Sequence, residues 1–195
     1  MTQKCYLISR NILLFIIIIS IISIVVFNLP KKYTPEQIAE QVKKIHNTKI
    51  TMDHVLGTNL PPRPKDPNKT IEGYDVNNNG IRDDIELDIF EAYPNSQKTR
   101  AVLLQYALVR QMELTQPINK ETVTSVSEEV SRAYRCVSAV LPLGGLSDEL
   151  YDFIEKRHEN TSDRKRTRHD FYEGNLDNER NLGGKCDIDL SLLAN

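Results

Sequence analysis

The sequence predicts an all-α protein, a small irregular helical bundle preceded by a single N-terminal transmembrane helix, and three observations predict it. Apolar residues recur at intervals of three and four over several segments of helical length, most regularly at Val123, Val126, Val130, Ala133, Tyr134, Val137 and Val140. No segment alternates apolar and polar residues over the length of a strand. Proline and glycine fall between the periodic segments, at Pro94, Pro117, Pro142 and the pair Gly144 and Gly145, where helices must stop. No internal repeat is visible.

At 195 residues, less an apolar leader, the chain suits one domain with a real core. Charged residues at 27% and apolar residues at 39% are those of a folded globule, so neither disorder nor a polytopic membrane protein fits. A formal net charge of −2 gives no basic field, which leaves nucleic acid without support as a partner.

In the leader, Lys4 and Arg10 precede an apolar run from Ile12 to Phe27 broken only by Ser20 and Ser23, and Pro30, Lys31 and Lys32 follow it. At 1.5 Å per residue, roughly 18 residues cover about 27 Å, enough for a membrane span or a long signal core. A cleavage site needs small residues after the core, and Val25, Val26, Phe27 and Leu29 stand there, which favours an uncleaved anchor. The expected organisation is a cytoplasmic N-terminus over 1–10, a transmembrane anchor or signal over 11–29, and an extracytoplasmic helical domain over 31–195. This places the chain in the cytoplasmic membrane as a single-pass protein with its main domain outside. Basic residues flank the run on both sides, so charge hardly orients it. Cysteine does more: Cys136 and Cys186 share the main domain while Cys5 lies alone beyond the anchor, a partition that suits an oxidising space for the pair. Cys136 and Cys186 are therefore a disulfide candidate, the alternative being two unrelated buried thiols.

Beyond the leader, Thr34, Pro35 and Gln37 form a helix start, and Ile38, Val42 and Ile45 give that helix one narrow apolar face to about His46. Residues 58–74 hold Pro61, Pro62, Pro64 and Pro67 and form an extended connector. A short helix from about Asp83 carries Ile85, Leu87, Ile89 and Phe90 and stops before Pro94. Ser96 caps a long helix with a broad apolar side, Val102, Leu103, Tyr106, Leu108, Val109 and Met112, that Pro117 ends. The strongly periodic helix spans about Asn119 to Leu141. Ser147, Asp148 and Glu149 start another with Leu150, Tyr151 and Ile154, and a last helix runs from Ser162 to Asn175 on Phe171 and Tyr172. The Asn- and Gly-rich tail should be irregular, stapled by Cys186.

Residues 75–86 carry the chemistry. Asp75, Asn77, Asn79, Gly80 and Glu86 match the pattern D-x-[DN]-x-[DN]-G-x₅-E at every specified place. A hard cation such as Ca²⁺ takes 6–8 oxygens, and oxygens at alternate positions converge only where the chain turns sharply after them. Gly80 permits the turn. Asp75, Asn77 and Asn79 would ligate through their side chains, Ile81 through its carbonyl, Asp83 directly or through water, and Glu86 through both oxygens from the start of a helix. The bland alternative is an Asn-rich surface turn.

The loop resembles EF-hand-like calcium loops, and among them the extracellular dockerin and thrombospondin type 3 kinds more than the calmodulin kind. Arg82 stands where EF-hands carry the aliphatic residue that pairs two loops, no second loop exists, and the upstream prolines forbid an entering helix. The resemblance thus implies a single loop plus exit helix. The longer stretch Thr70–Glu86 with Tyr93, Pro94, Asn95 and Ser96 is similar to a group of uncharacterised exported bacterial proteins, which implies an all-helical extracytoplasmic protein and no particular activity. With full carboxylates only at Asp75, Asp83 and Glu86, affinity should fall at the weak end, roughly 10⁻⁴–10⁻³ M. That suits calcium levels outside the cytoplasm.

Other features have plainer readings. Lys156, Arg157, Arg164, Lys165, Arg166 and Arg168 form a basic stretch interleaved with Glu155, Glu159 and Asp163, as on a solvated, ion-paired helix face, with anionic lipid or wall polymer as the alternative partner. Glu155 and His158 have the spacing of a di-iron half-site but no second copy. His46, His54 and His169 show no zinc spacing. The leading expectation is a non-catalytic, calcium-stabilised interaction or structural module with a protein or envelope-polymer partner. The rival is a cell-envelope hydrolase, which a deep cleft with two carboxyl groups, one of raised pKa, would favour.

Overall fold

The computed structural model describes residues 33–140, 146–173 and 186–194, together with 16, 17, 19 and 20 of the leader, which are helical. The rest of the expected anchor, Cys5, and the breaks at Pro142, Gly144 and Gly145 lie outside the described residues. Among the described residues no helix is long and apolar enough to cross a membrane. The chain divides into two units, Met1–Pro35 and Glu36–Asn195, and the second carries the folded domain.

From residue 33 onward the described residues form seven α-helices, one 3-10 turn and no strand, so the fold is all-α. The helices are α1 (Pro35–Asn47), α2 (Met52–Leu56), α3 (Asp83–Ala92), α4 (Gln97–Thr115), α5 (Lys120–Val140), α6 (Leu146–His158) and α7 (Ser162–Glu173), with the 3-10 turn at Leu190–Leu192. Ser96 caps α4 as its side chain predicts, its Oγ accepting from the Thr99 N–H at 3.2 Å. The sequence reading missed α2. Its signals are local: the Thr51 N–H donates to His54 Nδ1 at 3.0 Å, and Gly57 ends the helix at φ 72°.

α4 is the axis of the bundle, packed against α2, α3, α5, α6 and α7. The sequence predicts one broad apolar side, yet neighbours all round also bury Arg100, Gln105, Arg110, Gln111 and Glu113. Buried polar groups need partners, and these find them across the bundle. Arg100 donates to the carbonyls of Val55 (3.1 Å), Tyr93 (3.0 Å) and Pro94 (2.6 Å), fixing α2 and the α3–α4 corner. Gln111 Nε2 donates to the Glu72 carbonyl at 2.7 Å and holds the connector against α4.

The connector is held from its other side by α7. Arg164, completely buried, donates to the carbonyls of Pro67, Thr70 and Ile71 and to the side-chain oxygens of Asn68 and Asn160, all at 2.6–3.0 Å. Burial, with the neighbouring Arg82 charge, lowers its pKa to about 10. This corrects the solvated-face reading of the basic stretch at its centre. Lys156 with Asp152 and Arg166 with Asp163 are the exposed intrahelical pairs expected, but Arg157 stacks on Phe153 and reaches Asp88 of α3 at 2.8 Å.

Cys136 of α5 and Cys186 are joined by a disulfide. It anchors residues 186–194 against the bundle. The Asp187 N–H donates to Gln105 Oε1 at 2.8 Å, its carboxylate accepts from the Ile50 N–H at 3.0 Å and pairs with Arg132, and Leu193 is buried.

Candidate functional site

The loop Asp75–Glu86 joins the connector to α3 and is folded by its own side-chain oxygens. Asp75 accepts from the N–H groups of Asn79 (3.0 Å) and Gly80 (2.9 Å), one to each carboxylate oxygen. Asn79 Oδ1 accepts from the Ile81 N–H at 2.8 Å, and Asp83 Oδ1 from the Val76 N–H at 3.0 Å. The turn itself needs residues that tolerate positive φ, and Asn78 (55°) and Gly80 (83°) hold those places. A Cβ at Gly80 would also meet Leu108 Cδ1 at 2.7 Å, so that side chain would have to shift. Ile81 is fully buried and pins the loop to the core.

Glu86, on the first turn of α3, points inward and is 2% exposed. Its Oε2 accepts from Asn77 Nδ2 at 3.0 Å, and the same amide nitrogen donates to the Asn59 carbonyl at 2.9 Å. Asn77 Oδ1 and Asp83 Oδ2, two oxygens of the expected ligand set, are buried with no hydrogen-bond partner. Burial raises the Glu86 pKa, the Asn77 and Asn79 amides oppose that, and the Asp83 and Asp75 charges add to it. Burial likewise raises Asp83, against the Val76 N–H and with Asp75 and Asp84. The Asp75 and Asp83 charges act on Glu86, and no cationic side chain is hydrogen-bonded to Asp75, Asp83 or Glu86 among the described residues. An all-oxygen donor set with orphaned oxygens fits a hard divalent cation.

The fit is looser at Asp83. Among the described residues, the acidic and histidine side chains whose ligand atoms all lie within 4.8 Å of one another are His169, Asp170 and Glu173 on the exposed face of α7, not Asp75, Asp83 and Glu86. With one oxygen on the Val76 N–H, Asp83 suits the water-mediated place that position 9 of such loops takes. The structure thus sets Asp83 at the margin, places Asp75, both its oxygens on loop N–H groups, at a separate cavity beside Glu72 and Gly73, and draws Asn77, Asn79 and Glu86 together. These three line a cavity of about 190 Å³ whose far wall is His54, Gly57, Thr58 and Asn59.

Arg82, at the departure from the EF-hand pattern, has a definite place. It is completely buried, paired with Asp84 through Nε (2.8 Å) and Nη2 (2.6 Å), and reaches the Arg157 carbonyl at 3.3 Å. Where a paired hand would present an aliphatic side chain to a second loop, this chain sends a guanidinium to the C-terminal turn of α6. There it meets the Arg157 carbonyl and the negative end of the helix dipole, while its Nη1 is buried without a partner.

A second polar cluster was not legible beforehand, since its members are far apart in sequence. Arg110 holds both Glu113 (2.5 Å) and Glu155 (2.8 Å), Tyr172 donates to Glu113 at 2.6 Å, and Arg168 pairs with Glu155 at 2.6 Å and with Glu159. Burial raises the Glu113 pKa against the pull of Arg110. The adjoining cavity, about 420 Å³, is walled by Glu159, Lys165, Arg168, His169, Tyr172 and Glu173, and neither Glu113 nor Glu155 faces it. Glu155 is committed to these arginines. Its neighbour His158 is buried with both ring nitrogens unpartnered. His46 lies on Glu129 at 2.9 Å, His54 caps α2, and His169 sits on α7, so these three histidines do not converge. No protein-family model, no curated protein and no solved structure matches this chain.

Proposed function

We propose that this chain is a membrane-anchored, extracytoplasmic helical module, non-catalytic, that binds one Ca²⁺ in an EF-hand-like loop with Asp75, Asn77, Asn79, the Ile81 carbonyl, Asp83 and Glu86 as its ligand set. The observation that carries the reading is the buried Glu86 carboxylate, its pKa raised, beside the orphaned Asn77 Oδ1 inside a loop of the calcium pattern. The ion's work is structural: it fastens the extended connector to the first turn of α3. The anchor over 11–29 would hold the module at the outer face of the cytoplasmic membrane, where its helices are offered to a protein or envelope-polymer partner. The Cys136–Cys186 disulfide supports an oxidising compartment.

Thermal melting of the full chain in detergent tests this. Saturating a site at 100 times its Kd stabilises the folded state by about 2.7 kcal/mol. The parent should therefore melt several degrees higher in excess calcium than in chelator, and Glu86→Gln should lose most of that rise. Equal melting points with and without calcium in the parent would remove the calcium assignment.

A further inference from the structure

The hydrogen bonds of Asn77 point beyond the twelve loop residues. Its amide nitrogen donates to two acceptors, Glu86 Oε2 inside the loop at 3.0 Å and the main-chain carbonyl of Asn59 outside it at 2.9 Å. Its Oδ1, meanwhile, is buried and without a partner. A half-turn of the amide about its last torsion exchanges nitrogen and oxygen. Three oxygens, from Asn59, Asn77 and Glu86, would then face one another, a donor set that a divalent cation satisfies. The completely buried Asp83, with Oδ2 also unpartnered, adds negative charge to the same neighbourhood.

We infer that the calcium ion is shared between the loop and the turn after α2, with the Asn59 carbonyl as a ligand from outside the loop. This rests on the calcium reading above and extends it: the α2 turn takes the place that an entering helix fills in a complete hand. Two features hold Asn59 there. Gly57 turns the chain at φ 72°, and the tip of the Phe90 ring on α3 stands 2.6 Å from where a Gly57 Cβ would lie. The turn is thus packed on the same helix that carries Glu86. Calcium binding consequently locks α2 to α3, two elements that the loop itself does not connect, and affinity depends on residues that no twelve-residue pattern contains.

Hydrogen exchange on the full chain in detergent, read by mass spectrometry with and without millimolar calcium, tests the inference without a mutation. Calcium should slow exchange of peptides covering 57–60 along with those covering 75–86, at least tenfold in each. Calorimetry with Gly57→Ala supplies the second arm: the displaced turn should weaken calcium binding about tenfold while all loop side chains remain. Slowing confined to 75–86, with Gly57→Ala binding as the parent does, would overturn the shared site and leave the loop assignment standing. Absence of any calcium binding by the parent would overturn both.

Discussion

Arg164 is held by five oxygen acceptors and no carboxylate, so its charge is stabilised by dipoles of the connector it fixes. Truncation to Met would leave three carbonyls and two amide oxygens of half-buried or exposed residues short of donors. At roughly 1–3 kcal/mol for an unsatisfied group that water cannot reach, and less where it can, Arg164→Met should cost about 3 kcal/mol in urea unfolding. Lys, lacking the planar fork, should recover under half of it. Gly80 is the other residue whose replacement has a definite consequence. Gly80→Ala meets both a left-handed backbone cost of about 1–2 kcal/mol and the Leu108 contact. It should lower stability by about that amount or more and weaken calcium binding, and circular-dichroism melts with and without calcium would measure both. An Ala variant melting within a degree of the parent would show that the turn is not as tight as described.

At the scale of elements, α1, α3, α4, α5 and α7 fall close to the limits their sequences predict, because each is bounded by a proline or a capping side chain and carries its own periodicity. α2 was hidden because five residues are too few for periodicity and its cap uses His54, not the usual Glu or Gln. The twelve-residue loop was legible because its chemistry is contiguous. The wall supplied by Asn59 was not, since a main-chain carbonyl carries no residue signature. Nor was the inward turn of Arg164, where the chain offers six basic residues and only packing selects the buried one. The tail is the element with the largest single constraint: the disulfide closes a loop of 50 residues, worth about 4 kcal/mol on the chain-entropy model. Replacing both cysteines with serine should cost about that amount and free Asp187 and Leu193. Thiol alkylation of the folded parent should label neither Cys136 nor Cys186 before reduction. Ready labelling of both would count against an oxidising compartment.

For the whole molecule, pH acts through two sets of buried groups of opposite sign. Burial first, then the charges of Arg82, Arg110, Arg164 and Arg168, drive the His158 pKa well below 6.5, so the folded state keeps the ring neutral. The stability this contributes is full above pH 6.5 and is lost as pH falls toward the folded value, at up to about 1.4 kcal/mol per pH unit. Asp83 and Glu86, raised by burial, contribute stability that is present below their unfolded pKa and lost as pH rises through the folded one. Calcium would remove that second component. In saturating calcium, denaturant unfolding of the parent should therefore weaken between pH 7 and pH 5, and His158→Leu should flatten the slope. Equal slopes would place the acid sensitivity elsewhere. The central claim is the ion itself, and titration calorimetry of the full chain measures it most directly. One calcium per chain with Kd of roughly 10⁻⁴–10⁻³ M, abolished in Glu86→Gln, is the result the account predicts. No saturable heat from the parent, or the same binding isotherm from both proteins, would contradict it.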